Sequence, residues 1–177
     1  MSTAIGLERK TVRLVPHDSR WSGFFDLEAA LIRARLGADA CDVAHVGSTA
    51  VPGLEAKPVI DVLLGIPSLR APASLFVALA ELGYEHRPLD EVSERLFFRK
   101  DSGELRTHNL SACETNSEFW SAHLRFRDCL RSNPELAQSY VHLKRILMAK
   151  YPNDRVAYTD AKDEFIAAVL SASTAGA

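Results

Sequence analysis

The segment 45–66, HVGSTAVPGLEAKPVIDVLLGI, is the part of the chain that decides its fold. Its second half, 58–66, is almost continuously apolar and β-branched, which is typical of a strand buried in the middle of a sheet. Asp61 is the only charged residue in that run. The first half places Gly47 and Ser48 directly after a short apolar stretch, so we expect a strand, a tight loop and a second strand.

The loop resembles the phosphate-binding P-loop of kinases, but its spacing does not fit. A P-loop requires GxxxxGK[ST], in which the lysine directly follows the last glycine. Here Gly47 and Gly53 are too far apart, and Lys57 is separated from Gly53 and followed by Pro58, which disfavours a helix at that point. The dinucleotide pattern GxGxxG is also absent. The sequence therefore argues against both types of nucleotide fold.

A third arrangement fits better, in which loop amides and a serine hydroxyl hold phosphate oxygens. An acid on the neighbouring strand then holds a divalent metal against those phosphates, as the spacing of Ser48 and Asp61 permits. A simple strand-to-helix turn is the alternative interpretation of the loop. Asp61 needs a metal, a basic partner or a place at the sheet edge, because burying an unpaired carboxylate costs several kcal/mol.

The flanking sequence predicts an α+β core over residues 1–114 and a helical segment over 115–172, together forming one domain. In the core we expect helices over 19–36 and from Pro72 to Gly83, and strands over 41–46, 84–87, 95–100 and 106–113 with a turn at 101–103. In the helical segment we expect three helices: one after a capping box at Thr115–Glu118, one from Pro134, and one after Asn153. The predicted fold is a mixed β-sheet with helices on one face, followed by three helices.

The composition narrows the function classes. A net charge of −2 argues against a dedicated nucleic-acid binder. The three cysteines, Cys41, Cys113 and Cys129, have no CxxC spacing, so we expect reduced thiols rather than disulfides or zinc. The first residues, MSTAIGLERK, lack an apolar signal core, and no apolar run reaches the length of a membrane span. We therefore expect a cytoplasmic protein that does not bind membranes.

Several motifs together resemble the GrpB-like family, which is grouped with the nucleotidyltransferase (DNA polymerase β-like) superfamily. They are HVGSTAVPGL at 45–54, KPVID at 57–61, VRLVP at 12–16 with Trp21, LGY at 82–84, FFRK at 97–100, RTH at 106–108 with Leu110, HLRFRD at 123–128, and YTDAK at 158–162 with Phe165. The resemblance covers nearly the whole chain. It implies metal-dependent transfer of a nucleotidyl group from a nucleoside triphosphate to an acceptor that the sequence does not identify.

The resemblance also shows where this chain departs from the superfamily pattern. Gly47 and Ser48 match the opening motif, and Asp61 matches the first of the metal-binding acids. Leu63 stands where the second acid is expected, and the strand over 106–113 contains no third acid. Two-metal catalysis relies on bridging carboxylates that hold the cations within about 4 Å of each other. The resemblance therefore identifies the family and leaves the chemistry open.

The candidate site residues follow from these patterns. Asp61 is the candidate catalytic residue, and His45, Asp61 and His108 are candidate ligands of a divalent metal, either Mg²⁺, Mn²⁺ or a transition ion. Each histidine has an alternative structural role in the loop or the sheet. The candidate phosphate-binding or nucleotide-binding residues are Gly47, Ser48, Thr49, Lys57, Arg99 and Arg106. We expect Arg99 and Lys100 on opposite strand faces, and Lys144, Arg145 and Lys162 in solvent.

Three functions remain open at this stage. The first is a metal-dependent nucleotidyltransferase. The second is a non-catalytic protein that binds a nucleotide or another phosphate-bearing small molecule and has lost the second metal-binding acid. The third is an accessory role in coenzyme A metabolism without kinase activity, since relatives in the family are sometimes joined to dephospho-coenzyme A kinase domains.

Overall fold

The structure is a computed structural model that describes residues 5–8, 11–37, 40, 42–70, 73–90 and 92–175. The strands are β1 (Leu7–Glu8), β2 (Asp42–Val46), β3 (Ile60–Ile66), β4 (Tyr84–His86), β5 (Leu96–Ser102) and β6 (Leu105–Glu114). The helices are α1 (Arg20–Leu36), α2 (Ala73–Glu81), α3 (Glu118–Ser132), α4 (Pro134–Lys150), α5 (Arg155–Asp160) and α6 (Asp163–Ala175). Short 3₁₀ turns lie at Ser48–Ala50 and Pro88–Asp90.

The strands form one mixed sheet in the order β2-β3-β6-β5-β4, with β1 pairing with β6. β3 and β6 are parallel, and the other strand pairs are antiparallel. The apolar run that predicted a central strand does form one, because β3 lies between β2 and β6. The predicted α+β class with a mixed sheet is therefore confirmed.

Side chains of β3 alternate between two differently covered faces of the sheet. Ile60, Val62 and Leu64 pack against α1 and α2 in the main core, which also includes Trp21 and Ile32. We call this side the α1/α2 face, and it carries both helices of the core, as predicted. The opposite side, which we call the α3 face, carries Asp61 and Leu63 because neighbouring residues of a strand point in opposite directions.

Helix α3 covers part of the α3 face. Its Trp120 packs with Leu63, Val46 and Cys113, and Leu63 has no exposed surface. Burial of a leucine side chain at such a position stabilises a fold by about 2 kcal/mol. The position where the superfamily pattern would place a second acid is thus part of an apolar contact that fixes α3 on the sheet.

Two details of the predicted helices differ from the structure. The single helix expected after Asn153 is two helices, α5 and α6, because the chain turns at 161–162, so the C-terminal segment has four helices among the described residues. The cap of α3 is Ser117 rather than Thr115, since the Ser117 hydroxyl accepts a hydrogen bond from the Trp120 amide at 3.2 Å. Pro72 and Cys41 lie outside the described residues.

The C-terminal helices also pack on the loop between β2 and β3. Val51 and Leu54 of that loop are buried together with Leu130 of α3 and Tyr140 of α4. This contact places α4 beside Ser48. Within the described part of the chain, no helix combines the length and apolar character needed to cross a lipid bilayer.

Candidate functional site

Gly47 is held against Asp61 by the pairing of their strands. Val46 at the end of β2 lies opposite Asp61 in β3, so the loop turns directly beside the carboxylate. Gly47 has φ +70° and ψ −173°, a conformation that residues with a side chain rarely adopt. A Cβ atom at this position would lie 2.4 Å from the Asp61 Oδ2 atom. Glycine is therefore required here by both backbone geometry and space.

Ser48 contacts a buried lysine from the helical segment. The Lys144 Nζ atom lies 3.1 Å from the Ser48 Oγ atom and also donates to the Glu55 carbonyl. Lys144 is only 2% exposed, so the expectation that it lies in solvent is wrong. Burial, together with the nearby charge of Lys162, lowers the pKa of Lys144 to about 7, and Glu55 opposes this shift.

Lysines in this region lie over tyrosine rings, and the charge of Lys162 acts on Lys144. The Lys144 Nζ atom is 4.9 Å from the centre of the Tyr140 ring. The Nζ atoms of Lys57 and Lys162 are 5.2 and 4.8 Å from the centre of the Tyr158 ring. These distances lie within the range of cation–π contacts. Lys57 of the loop therefore shares the Tyr158 ring with Lys162, and Lys144 contacts the loop directly; of these lysines the sequence predicted only Lys57 at the site.

A row of polar residues crosses the α3 face at the level of Asp61. Asp61 in β3, Asn109 in β6 and Arg99 in β5 occupy matching positions on neighbouring strands. The Asn109 Nδ2 atom donates to the Asp61 Oδ1 atom at 2.8 Å. Arg99 forms an ion pair with Asp90 at 3.2 Å, and burial lowers the pKa of its guanidinium. Asp61 thus has a neutral hydrogen-bond partner, Asn109, in the strand where the superfamily pattern would place the third acid.

Two arginines of α3 hold the loop from the other side. Arg127 donates to the carbonyl oxygen of His45 at 3.1 Å, and Arg131 donates to that of Ala50 at 2.7 and 2.9 Å. These bonds satisfy carbonyl groups on either side of Gly47 and Ser48, and so fix the loop to α3. Sequence reasoning missed both residues, although Arg127 lies within one of the family motifs.

The structure does not bring His45 and His108 together with Asp61. Successive side chains of a strand point to opposite faces of the sheet. His45 and His108 pair with Val62 and Ile60, so both point to the α1/α2 face, whereas Asp61 points to the α3 face. His45 stacks on Phe25 at 4.7 Å between ring centres, and its Nε2 atom lies 3.0 Å from the Thr49 hydroxyl. Burial lowers the pKa of His45 and of His108 to about 4. The sheet therefore separates the predicted ligands.

Three other residues of the predicted site region also have structural partners. The Thr49 side chain is buried, and its hydroxyl lies between His45 and the Val59 carbonyl, at 3.4 Å from the latter. The Arg106 Nε atom is 3.9 Å from the Asp101 carboxylate. Lys100 lies on the α1/α2 face and pairs with Glu28 at 2.9 Å, so the expected separation of Lys100 from Arg99 is observed.

One histidine near Asp61 was not predicted as a site residue, although it begins the motif at 123–128. His123 of α3 is partly buried, and its Nδ1 atom lies 2.8 Å from the Phe119 carbonyl. Burial lowers the pKa of His123, and the charge of Asp61 opposes this shift. The sequence did contain a signal for this position: His123 follows Phe119 by four residues, so the two lie on the same face of a helix.

The side chains at this site do not form a two-metal centre. No group of three or more histidine, cysteine, aspartate or glutamate side chains able to hold a metal exists among the described residues. Leu63 is buried under Trp120, and Asn109 carries no charge. The remaining carboxylate, Asp61, fits a single Mg²⁺ ion, since Mg²⁺ is commonly bound by one or two carboxylates together with substrate phosphates.

Comparison with known proteins gives consistent matches over most of the chain. The family model described as GrpB protein matches residues 11–172. The glutamate-rich protein GrpB of Alkalihalophilus pseudofirmus is 36% identical over 171 residues, which cover 94% of this chain and 98% of that protein. The crystal structure of the conserved protein GrpB from Enterococcus faecalis matches with a TM-score of 0.80 and 31% identity, covering 90% of this chain and 95% of that one.

A more distant relative is named dephospho-CoA kinase and comes from Mycolicibacterium paratuberculosis. It is 29% identical over 182 residues, which cover 89% of this chain and 44% of that protein. The match therefore involves less than half of the relative. This chain contains no GxxxxGK[ST] sequence.

Proposed function

The chain belongs to the GrpB family, and we propose that it binds a nucleotide or a similar phosphate-bearing small molecule at Gly47 and Ser48 without catalysing two-metal nucleotidyl transfer. The observation that carries the proposal is the contact between the buried Lys144 ammonium and the Ser48 hydroxyl, at 3.1 Å. Among the described residues Lys144 forms no ion pair with a carboxylate; because a buried unpaired ammonium is unfavourable, a phosphate group would supply the missing negative charge.

The electrostatics around the loop support an anionic ligand. Lys144 contacts Ser48, Lys162 lies near enough to influence the pKa of Lys144, and Lys57 and Lys162 both lie over the Tyr158 ring. Hydrogen bonds in which one partner is charged are roughly twice as strong as those between neutral groups. Of the two acids beside the loop, Glu55 is already paired with Arg145 at 3.0 Å, and Asp61 accepts a hydrogen bond from Asn109. A ligand with two or more phosphates fits this arrangement better than a single carboxylate does.

In this proposed function a divalent metal ion would assist ligand binding but would not catalyse a reaction. Asp61 is the carboxylate next to Gly47, so a single Mg²⁺ or Mn²⁺ ion bound to the ligand's phosphates would contact Asp61. Such an ion would screen the phosphates and orient them. Because Leu63 and Asn109 supply no further carboxylate, we derive no transfer step through a metal pair.

Nucleotidyl transfer is the second candidate, and the closeness of Asp61 to Gly47 is the observation that favours it. Nucleotidyl transfer at this site would require one carboxylate and one metal ion to be enough to activate the attacking hydroxyl group. An accessory role beside coenzyme A-linked enzymes is compatible with phosphate binding. Kinase activity is not proposed for this chain, because the kinase loop is absent and the match covers less than half of the dephospho-CoA kinase.

Titration of ATP into wild type, Ser48→Ala and Asp61→Asn, each with and without Mg²⁺, separates the two candidates. If the protein only binds nucleotide, we expect saturable binding of ATP by wild type. The affinity should be about fivefold to tenfold lower in Ser48→Ala, because one hydrogen bond is lost. Binding in the absence of Mg²⁺ should be the same in Asp61→Asn as in wild type, or stronger. In the presence of a cell extract that supplies acceptor hydroxyl groups, Mg²⁺-dependent formation of both pyrophosphate and an AMP-bearing product by wild type, abolished in Asp61→Asn, would instead establish the transferase.

A further inference from the structure

The side of α1 that faces away from the sheet is apolar, although it is exposed. One side of this helix is buried in the main core. On the opposite side, Leu27 is 68% exposed and Leu31 is 50% exposed. Ala30 and Ala34 are exposed as well, and they share this helical face because residues three and four apart are neighbours on a helix. We call these four residues the outer stripe.

The outer stripe has the spacing of a seam between two paired helices. Leu27, Ala30 and Ala34 follow one another at intervals of three and four residues, as the a and d positions of a heptad repeat do. The two alanines are small enough for the axis of a second helix to approach to about 8 Å. Because the stripe is exposed, a helix of another molecule can pack on it without displacing any described part of this chain.

Two opposite charges flank the outer stripe on one side. Asp26 and Arg33 are seven residues apart, so both occupy position g of a heptad in which Leu27 is at position a. Asp26 is exposed and forms no ion pair within the described part of the chain. Arg33 donates to the Val43 carbonyl at 2.9 Å and lies 3.9 Å from the Asp42 carboxylate, but 53% of its side chain is exposed. Both charges are therefore accessible to a second molecule.

We propose that two copies of this chain form a dimer in which their α1 helices pack antiparallel along the outer stripe. A two-fold axis between antiparallel helices reverses their direction but keeps each flank on the same side, so position g of one helix lies beside position g of the other. When this axis passes near Ala30, Asp26 of each copy lies beside Arg33 of the partner subunit. The interface then contains two ion pairs, and it buries Leu27 of both copies.

The charges identify both the partner and the orientation. The flank of α1 is complementary to itself only when a second copy of the same helix lies antiparallel to it. In a parallel pair, position g of one helix lies beside position e of the other, and Leu31 at position e carries no charge. A single pair of 17-residue helices buries less area than a standard interface of about 1,600 Å². We therefore expect a weak dimer, with a dissociation constant on the order of 10–100 µM.

Sedimentation equilibrium of the full chain measures this association. Wild type should change from monomer to dimer as its concentration rises from about 1 to 500 µM. Leu27→Glu should weaken the dimer at least tenfold, because it places a charge from each copy in the apolar seam. Val156→Glu is the matched control, since Val156 is 70% exposed in α5, outside the outer stripe, and this variant should associate as wild type does. Wild type that stays monomeric over the whole range, or an equal loss in both variants, would overturn the proposal.

Charge reversal tests the antiparallel arrangement separately. Asp26→Arg and Arg33→Asp should each weaken self-association at least tenfold, because each variant places like charges beside each other at both ends of the seam. An equal mixture of the two variants should form a heterodimer about as stable as the wild-type dimer, since the arginines of one chain then lie beside the aspartates of the other. Circular dichroism confirms that each variant is folded. A mixture that associates no better than either variant alone would overturn the proposed pairing.

Discussion

Replacement of Lys144 by methionine is expected to weaken ATP binding about 10-fold to 100-fold. Its Nζ atom is the buried charge next to Ser48, and hydrogen bonds to charged groups contribute about 1.5–3 kcal/mol. Methionine keeps most of the length and apolar contact of the side chain. We therefore expect the free energy of unfolding to change by about 1 kcal/mol or less, because the substitution also removes a buried charge. Calorimetric titration and urea denaturation measure the two quantities.

Arg145 provides the matched control for this variant. It neighbours Lys144 in α4, but it is exposed and pairs with the Glu55 carboxylate. Exposed ion pairs contribute little to stability, so Arg145→Met should leave ATP affinity within about twofold of wild type. An equal loss of affinity in both variants would show that general positive charge, rather than the Ser48–Lys144 contact, attracts the ligand.

Replacement of Gly47 by alanine is expected to destabilise the fold by about 3 kcal/mol or more and to abolish ATP binding. The new methyl group would lie 2.4 Å from the Asp61 Oδ2 atom, and backbone conformations restricted to glycine add about 1–3 kcal/mol of strain. Relief of the clash requires either Asp61 or the loop to move. Urea denaturation gives the stability change, and ATP titration of the folded fraction gives the affinity.

Gly53→Ala is a control that measures the cost of the strained backbone conformation without a clash of the added methyl group. Gly53 also has a positive φ, +77°, but a Cβ atom there meets nothing within 4 Å. We expect a loss of about 1–2 kcal/mol, the strain of a left-handed backbone conformation, with ATP affinity preserved. If Gly53→Ala destabilised the chain as much as Gly47→Ala, the contact with Asp61 would not be the reason for glycine at position 47.

The sequence predicted the fold well because its signals are local. The apolar run over 58–66 indicated a central strand, and the helical spacing of Trp21 and Ile32 indicated a helix that packs on the sheet. The error in the last helix has the same origin. Its apolar residues keep a helical spacing across 161–162, and nothing in that spacing marks the turn that separates α5 from α6.

The site was predicted only in part because it depends on contacts between distant segments. Gly47, Ser48 and Asp61 belong to one motif, and the strand pairing does bring them together. Lys144 is separated from Ser48 by almost a hundred residues, and an amphipathic helix gave no reason to place its lysine inside. The metal prediction combined His45 and His108 with Asp61 without applying the alternation of strand faces, which places both histidines across the sheet.

The pH dependence of ATP affinity tests the central claim most directly. The pKa of Lys144 is lowered to about 7, so in the free protein it is charged below that pH and loses its proton above it. A phosphate's last proton leaves near pH 6, so the charge of ATP changes little above pH 7. Between pH 7 and 8.5 we expect the affinity of wild type for ATP to fall roughly tenfold. The reason is that Lys144 loses its proton, and with it the positive charge that attracts the phosphates, over this range. Lys144→Met should show a flat profile over the same range. The same slope in both proteins, or no ATP binding by wild type at pH 7, would contradict the assignment of Ser48 and Lys144 as the phosphate site.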